Sequence, residues 1–246
     1  MKIKAILAAG AAAFALTSCM DGGNEYHSTY FYPVSNFGIE TFADQTVDSV
    51  RVVSYDSWTL TNHCEWFDVY ESGKKAPISV TVPAGYMSSN RLDLYLKPNT
   101  TGQVRSNAIE VVSSFNKIGS VVKTLVQYPF HNVIWPNVKR NSTDEGGVNY
   151  TFALNYPASA VEGDMTKNCV QFKVYGRNAK LASDSPWLRP AETEDFYAGK
   201  IYTVPVAADK NTTGAERTGT LTLSSEVDGE TVKTSIAVVQ AKSAEK

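Results

Sequence analysis

Hydrophobic and polar residues alternate along much of this chain with the period of two that is typical of half-buried β-strands. Clear examples are residues 78–82 and 92–96 in the first half and residues 170–175 and 235–240 in the second. No stretch shows helical periodicity with capping residues, and the nearest approach, at residues 157–164, is short. The pattern therefore predicts an all-β protein.

A seven-residue pattern, Asn-Thr-Thr-Gly-x-x-Arg, occurs twice, at residues 99–105 and 211–217. A strand-like run precedes each copy and another follows it. Asn and Gly tolerate positive φ, so each copy predicts a β-hairpin, with Arg105 and Arg217 bracing the turn rather than contacting a ligand. Two copies one domain length apart predict two tandem antiparallel immunoglobulin-like β-sandwich domains. We place them at residues 30–132 and 133–246.

The N-terminus has the pattern of a secretory signal. Lys2 and Lys4 precede an apolar, alanine-rich run at residues 6–16, which is too short to span a bilayer. The run ends in Leu-Thr-Ser-Cys at residues 16–19, which resembles a bacterial lipobox. The resemblance implies a signal peptide at residues 1–18, lipidation of Cys19 and a tether at residues 19–29. The alternative is an ordinary signal peptide with a cysteine placed there by chance.

Composition narrows the classes of function. The chain has 246 residues, of which 43% are hydrophobic, and a net charge of -2 gives no electrostatic reason to expect a nucleic-acid partner. His27, His63 and His131 lack metal-ligand spacing, so we expect no metal and no cofactor. No catalytic motif surrounds the acidic residues, so we expect that the protein is not an enzyme.

Two cysteines remain after Cys19. Cys64 and Cys169 fall in different predicted domains, at positions that do not correspond between the two halves. They either form a disulfide that bridges the domains or behave as two buried thiols.

The second half resembles the BACON family, the Bacteroidetes-associated carbohydrate-binding modules that are often N-terminal. The resemblance rests on Trp187, on residues 208–223 around the second Asn-Thr-Thr-Gly copy, and on the closing Ile-Ala-Val-Val-Gln at residues 236–240. It is weaker at about residues 37–127, where Trp66, Asn99, Arg105 and Gln127 remain. It implies immunoglobulin-like modules of Bacteroidota surface proteins and proposes carbohydrate binding.

Aromatic residues that the two halves do not share are the candidate ligand platform. Trp58, Tyr70 and Tyr86 belong to the first half alone, and sugars stack on exposed aromatic faces. The alternative is that they are scattered surface aromatics. Trp66 and Trp187 recur with the repeat, which favours a role in the core.

Together these features predict a non-enzymatic, lipid-anchored protein of the cell envelope. We expect an outer-membrane lipoprotein, at the cell surface more than at the periplasmic face, that binds a polysaccharide or mucin glycan or serves surface glycan-uptake proteins. The alternative is a structural spacer or protein-interaction subunit without sugar affinity.

Overall fold

The computed structural model describes residues 29–32, 39–115, 120–134, 138–142, 148–154 and 168–242. The predicted signal peptide, Cys19, His27 and most of the tether lie outside the described residues, as do residues 157–164. Within the ranges that are described, the chain forms strands and turns and no helix, which confirms the all-β prediction.

The first half forms two five-stranded sheets. Its strands are β1 (Thr29–Tyr32), β2 (Ile39–Thr41), β3 (Val47–Ser54), β4 (Trp58–Thr61), β5 (Phe67–Glu71), β6 (Lys74–Lys75), β7 (Ile78–Val80), β8 (Ser88–Leu96), β9 (Arg105–Ser113) and β10 (Ser120–Gln127). One sheet has the order β1-β3-β8-β5-β6 and the other β2-β10-β9-β4-β7. Alternate residues, such as Leu92, Leu94 and Leu96 on β8, are buried, as the period-2 pattern predicts.

The second half forms a four-stranded and a five-stranded sheet. Its strands are β11 (His131–Ile134), β12 (Val138–Ser142), β13 (Val148–Leu154), β14 (Cys169–Val174), β15 (Lys180–Ser183), β16 (Leu188–Pro190), β17 (Ile201–Ala208), β18 (Arg217–Val227) and β19 (Glu230–Gln240). The orders are β11-β14-β17-β16 and β12-β13-β19-β18-β15. One core takes buried side chains from both sheets, among them Phe172, Leu188, Leu221 and Ile236, which makes this half a sandwich.

The two halves share a strand order. The sequence β1-β3-β8-β5 corresponds to β11-β14-β17-β16, and β2-β10-β9-β4 corresponds to β13-β19-β18-β15. Each half also contains a parallel pair, β2 with β10 and β13 with β19. The same connectivity in both halves explains why the Asn-Thr-Thr-Gly pattern recurs at equivalent places.

The repeated pattern is not a hairpin, and this corrects the sequence-based prediction. Strands β8 and β9, which flank residues 99–104, belong to different sheets, and so do β17 and β18 around the second copy. Each copy is therefore an arch that carries the chain from one sheet to the other. The turn residues were interpreted correctly in one respect, because Gly102 and Gly214 have φ of 72° and 71°.

The chain divides into two compact units. One includes Val47–Tyr95 and Ala108–Thr124, and the other includes Ile39–Thr46, Leu96–Asn107 and Leu125–Lys246. The second unit contains a small additional cluster in which Ala43, Phe130, Tyr175 and Val232 are buried together. The domain boundaries predicted above remain predictions about which segments fold alone.

Candidate functional site

Trp58 is not a ligand platform, which corrects the sequence-based interpretation. It begins β4, opposite Val80 on β7 and Ser113 on β9, and its side chain is 1% exposed. A residue without an exposed face cannot stack on a sugar. The equivalent position in the second half is Ala179, which is also buried. Trp58 is a core residue that happens to be absent from the second copy.

Tyr70 and Tyr86 are accessible to different degrees. Tyr70 lies on β5, is half-buried and packs edge-to-face against Tyr95 on β8, with ring centroids 5.1 Å apart. Tyr86 lies in the turn between β7 and β8 and is 69% exposed. The aromatic partner of Tyr70 is thus Tyr95 rather than Tyr86. Tyr70 and Tyr86 stay predictions as ligand contacts.

The recurrent asparagines organise the two arches. Asn211 is buried, and its Nδ2 donates to the carbonyls of Ala215 at 2.7 Å and Ala241 at 2.8 Å. Its Oδ1 accepts from Thr213, from the amide at 3.1 Å and from Oγ1 at 2.7 Å. Asn99 makes the equivalent bonds in the first half, to Gln103, Gln127 and Thr101.

The recurrent arginines brace these arches, as predicted. Arg105 Nε and Nη2 donate to Gln127 Oε1 at 2.9 and 2.7 Å, and Nη2 also donates to the Lys97 carbonyl at 2.6 Å. Arg217 Nε donates to Gln240 Oε1 at 2.7 Å and its Nη2 to the Asp209 carbonyl at 2.6 Å. Each Arg therefore ties an arch to the last strand of its own half.

The recurrent tryptophans are half-buried rather than fully buried. Trp187 packs against the core of the second half, and the guanidinium carbon of Arg217 lies 4.2 Å from its ring centroid. Trp66 packs edge-to-face against Phe67 at 4.9 Å. Both contribute to packing, but neither is fully buried, although a tryptophan recurs at this position in both halves.

A groove opens at one end of the second sandwich, where no sequence-predicted residue lies. Its volume is about 680 Å³, which falls within the range usual for ligand sites. Three segments form it: the loop between β14 and β15, the loop between β16 and β17, and the last part of β18. The lining residues are Arg177, Asn178, Ala179, Lys180, Glu194, Asp195, Phe196, Tyr197, Ala198, Ser224, Ser225 and Glu226.

The core holds the aromatic side of this groove in place. Phe196 is buried, makes a bridge to Ala179 and packs edge-to-face on Phe172 and Tyr202, at 5.0 and 4.8 Å. The amide of Tyr197 donates to the Tyr202 hydroxyl at 2.6 Å. Because its neighbour points into the core, Tyr197 faces solvent and is 61% exposed.

Two loop residues of the groove have a positive φ. Asn178 and Asp195 have φ of 56° and 68°, in the left-handed region that Asn and Asp enter more readily than other non-glycine residues.

A carboxylate from far upstream holds one wall. Asp44 Oδ2 accepts from the backbone amide of Arg177 at 3.0 Å and from its Nε at 2.9 Å. The Asp44 side chain is largely buried, whereas that of Arg177 is 79% exposed. Asp44 therefore holds the Nε end of the Arg177 guanidinium group, and the rest of that group faces the solvent.

This arrangement suits reversible binding of a polar ligand. Tyr197 offers an apolar face, Glu194, Asp195 and Glu226 offer acceptors, and Arg177 and Lys180 offer donors. In the part of the chain that is described, no group of three or more His, Cys, Asp or Glu side chains is arranged to hold a metal ion. No helix long and apolar enough to cross a membrane occurs there either.

His131 and the cysteines lie outside the groove. His131 begins β11 and is buried, with Nδ1 3.2 Å from Thr234 Oγ1 and Nε2 3.0 Å from Ser225 Oγ. Burial lowers its pKa from 6.5 to about 4, so the imidazole is neutral at physiological pH. Cys64 and Cys169 form no disulfide with each other.

The fold and groove define the second half as an immunoglobulin-like sandwich with a ligand-sized opening. The family described as "BACON: Putative binding domain, N-terminal" matches residues 177–241, which include the whole groove lining. The resemblance predicted from the motifs is thus confirmed for this stretch. No curated protein matches the chain.

Several solved structures are similar at low identity. A Bacteroides ovatus GH5 xyloglucanase in complex with a XXXG heptasaccharide is 14% identical, with a TM-score of 0.28, over 42% of this chain and 19% of that one. The YadV chaperone is 9% identical, with a TM-score of 0.27, over 85% and 98%. Zebrafish RET cadherin-like domains 1 to 4 are 12% identical, with a TM-score of 0.28, over 87% and 51%. The chain spans about a fifth of the length of the xyloglucanase.

Sequence reasoning missed the groove because its residues come from separate loops. A local signal was present in the loop before β17, where Phe196 and Tyr197 follow three acidic residues at positions 192, 194 and 195. Two adjacent aromatics in an acidic loop indicate that one faces the core and the other the solvent.

Proposed function

We propose that this protein is a non-enzymatic, glycan-binding lipoprotein of the cell envelope, and that the groove of the second sandwich is its binding site. The observation that carries the proposal is the exposed Tyr197, displayed beside carboxylates and cationic side chains within the stretch that the BACON family matches. The family description, a binding domain, supports the same class of function.

The chemistry of the groove fits a sugar ring. The apolar C–H face of a pyranose packs on a tyrosine ring, while its hydroxyls both donate and accept hydrogen bonds. Glu194, Asp195 and Glu226 accept such bonds, and Lys180 and Asn178 donate them. An open groove leaves room for the sugar chain to continue on either side of the stacked residue.

The proposed absence of catalysis rests on the setting of the carboxylates. Glu194, Asp195 and Glu226 are exposed. A glycosidase acid needs surroundings that keep it protonated near neutral pH, usually an apolar pocket. Exposed carboxylates are better suited to hydrogen bonding with hydroxyls.

The cellular part of the proposal rests on the N-terminal sequence. Lipidation of Cys19 anchors the protein in the outer membrane and presents the groove to extracellular glycan or to surface glycan-uptake proteins. Replacing Cys19 with Ala should move the protein from the detergent-requiring fraction to the soluble one. Membrane retention of the Cys19→Ala variant after signal cleavage argues against the lipid anchor.

The second candidate function, protein interaction without sugar affinity, is favoured by a different surface. Tyr95 and Val47 are paired across β8 and β3, and both are exposed, with Tyr95 packed edge-to-face on Tyr70. Aromatic side chains are enriched at protein interfaces, so this face suits a protein partner. This candidate predicts that no glycan binds.

A glycan array with the purified full chain in mild detergent tests the proposal. We expect binding to at least one class of polysaccharide, weakened several-fold in Tyr197→Ala and retained in Tyr86→Ala, a similarly exposed tyrosine outside the groove. Loss of one stacked ring costs on the order of 1 kcal/mol or more, which is several-fold in affinity. Binding that depends on Tyr86 or Tyr70 alone transfers the site to the first half.

A further inference from the structure

The charges around the groove are unevenly matched. Two cationic residues and three carboxylates line it, and Lys200 adds a third cation whose Nζ lies 5.4 Å from the centroid of the Tyr197 ring. These charges alone would balance. Asp44, which lies behind the lining, breaks the balance because its carboxylate is bonded to Arg177.

The Arg177–Asp44 pair has a defined geometry. One carboxylate oxygen accepts from both the backbone amide and Nε of Arg177, so the cation is compensated before any ligand arrives. The remaining charges are Lys180 and Lys200 against Glu194, Asp195 and Glu226. The groove therefore presents an excess of negative charge to whatever enters it.

We infer that the groove selects neutral glycans and disfavours glycans that carry carboxylate or sulfate groups. This inference rests on the proposed glycan-binding function and names the substrate class for the same site. Selectivity of this kind comes from like-charge repulsion against the wrong ligand as much as from contacts with the right one. Asp44 is a positioning residue in this scheme, because it acts on the ligand through Arg177.

Matched oligosaccharides give a direct test. The probes are immobilised oligomers of glucose, galactose and mannose, each beside the oligomer of the corresponding uronic acid, which differs by a carboxylate at C6. For the full chain in 20 mM salt we expect the neutral members to bind on the order of fivefold to tenfold more tightly than the uronic-acid members. Repulsion between the ligand carboxylate and one uncompensated, partly solvated negative charge in the groove gives a difference of this size. The difference should shrink in 0.5 M salt because ions screen it.

Two variants test the origin of the selectivity. Asp44→Asn leaves Arg177 uncompensated, and we expect it to raise the affinity for the uronic-acid members relative to the affinity for their neutral counterparts several-fold. The triple variant Glu194→Gln, Asp195→Asn and Glu226→Gln removes the three carboxylates of the groove, and it should also narrow the difference in affinity between the neutral and the uronic-acid members. The matched control, Glu65→Gln with Glu110→Gln and Glu216→Gln, removes three exposed carboxylates elsewhere and should leave the gap unchanged.

The outcomes distinguish failure of the charge selectivity from failure of glycan binding itself. Equal or tighter binding of the uronic-acid members overturns the inference and leaves the glycan-binding function standing. A control triple variant that closes the gap as well as the groove triple variant also overturns it, because the effect is then one of net charge. Absence of binding to every member contradicts the proposed function and the inference together.

Discussion

Replacing Asn211 with Ala should destabilise the second half by about 2–4 kcal/mol. The side chain is fully buried, donates to two carbonyls and accepts from the amide and hydroxyl of Thr213. Each buried hydrogen bond contributes about 1 kcal/mol net, and a partner left unsatisfied costs about 1–3 kcal/mol. The Thr213 hydroxyl should cost less than about 3 kcal/mol when Asn211 is removed, because its Oγ1 also donates to the Ala215 carbonyl at 3.0 Å and keeps that bond.

The assay is urea denaturation of the full chain, followed by tryptophan fluorescence and far-ultraviolet circular dichroism. Asn211→Asp keeps the acceptor but turns an oxygen toward two carbonyls, so it should be at least as destabilising. Asn99→Ala should give a loss of the same size in the first half, since its bonds are equivalent. Thr212→Ala, an exposed neighbour in the same arch, should stay within about 0.5 kcal/mol of the unmodified chain. An Asn211→Ala variant as stable as Thr212→Ala would refute the assignment of the arch to this side chain.

Three further predictions concern packing and pH. Trp58→Ala should lower the free energy of unfolding by about 3–5 kcal/mol in thermal melts, because the side chain is buried, whereas a surface tryptophan would give little change. Trp58→Phe should cost less, because the indole N–H has no hydrogen-bond partner among the described residues. Gly219→Ala should cost about 1–3 kcal/mol in the same melts, because an added Cβ would lie 2.9 Å from Trp187 Cζ2. His131 has a folded pKa of about 4, below its unfolded value, so its contribution to stability is complete above about pH 6.5 and is lost as pH falls toward 4. That loss amounts to about 3 kcal/mol in denaturation curves recorded across this range, and His131→Gln should remove it.

The strands were predictable because their signal is local. Alternation of apolar and polar residues reflects which face of a strand is buried, and β8 and β18 show it in the burial of alternate side chains. Whether consecutive strands pair or cross to another sheet depends on the rest of the fold. The Asn-Thr-Thr-Gly pattern therefore predicted a reversal correctly and its type wrongly.

The site was less predictable than the fold. Recurrence misled the interpretation of the tryptophans: Trp58, which occurs once, is the most buried of the three that are described, while Trp187 is half-buried. Two copies of a fold conserve the shape of a core but fill it differently, here with Trp58 in one half and Ala179 in the other. The groove joins residues from separate loops to Asp44, which lies 133 positions before Arg177. No local sequence pattern indicates that Asp44 and Arg177 lie close together.

Hydrogen–deuterium exchange of the full chain, with and without the glycan that binds best on the array, tests the central claim most directly. The account predicts slower exchange in three segments, residues 177–180, 194–198 and 224–226, which lie far apart in sequence and meet only in the groove. Protection confined to residues 66–75 and 83–96, around Tyr70 and Tyr86, with the groove segments unchanged, would contradict it.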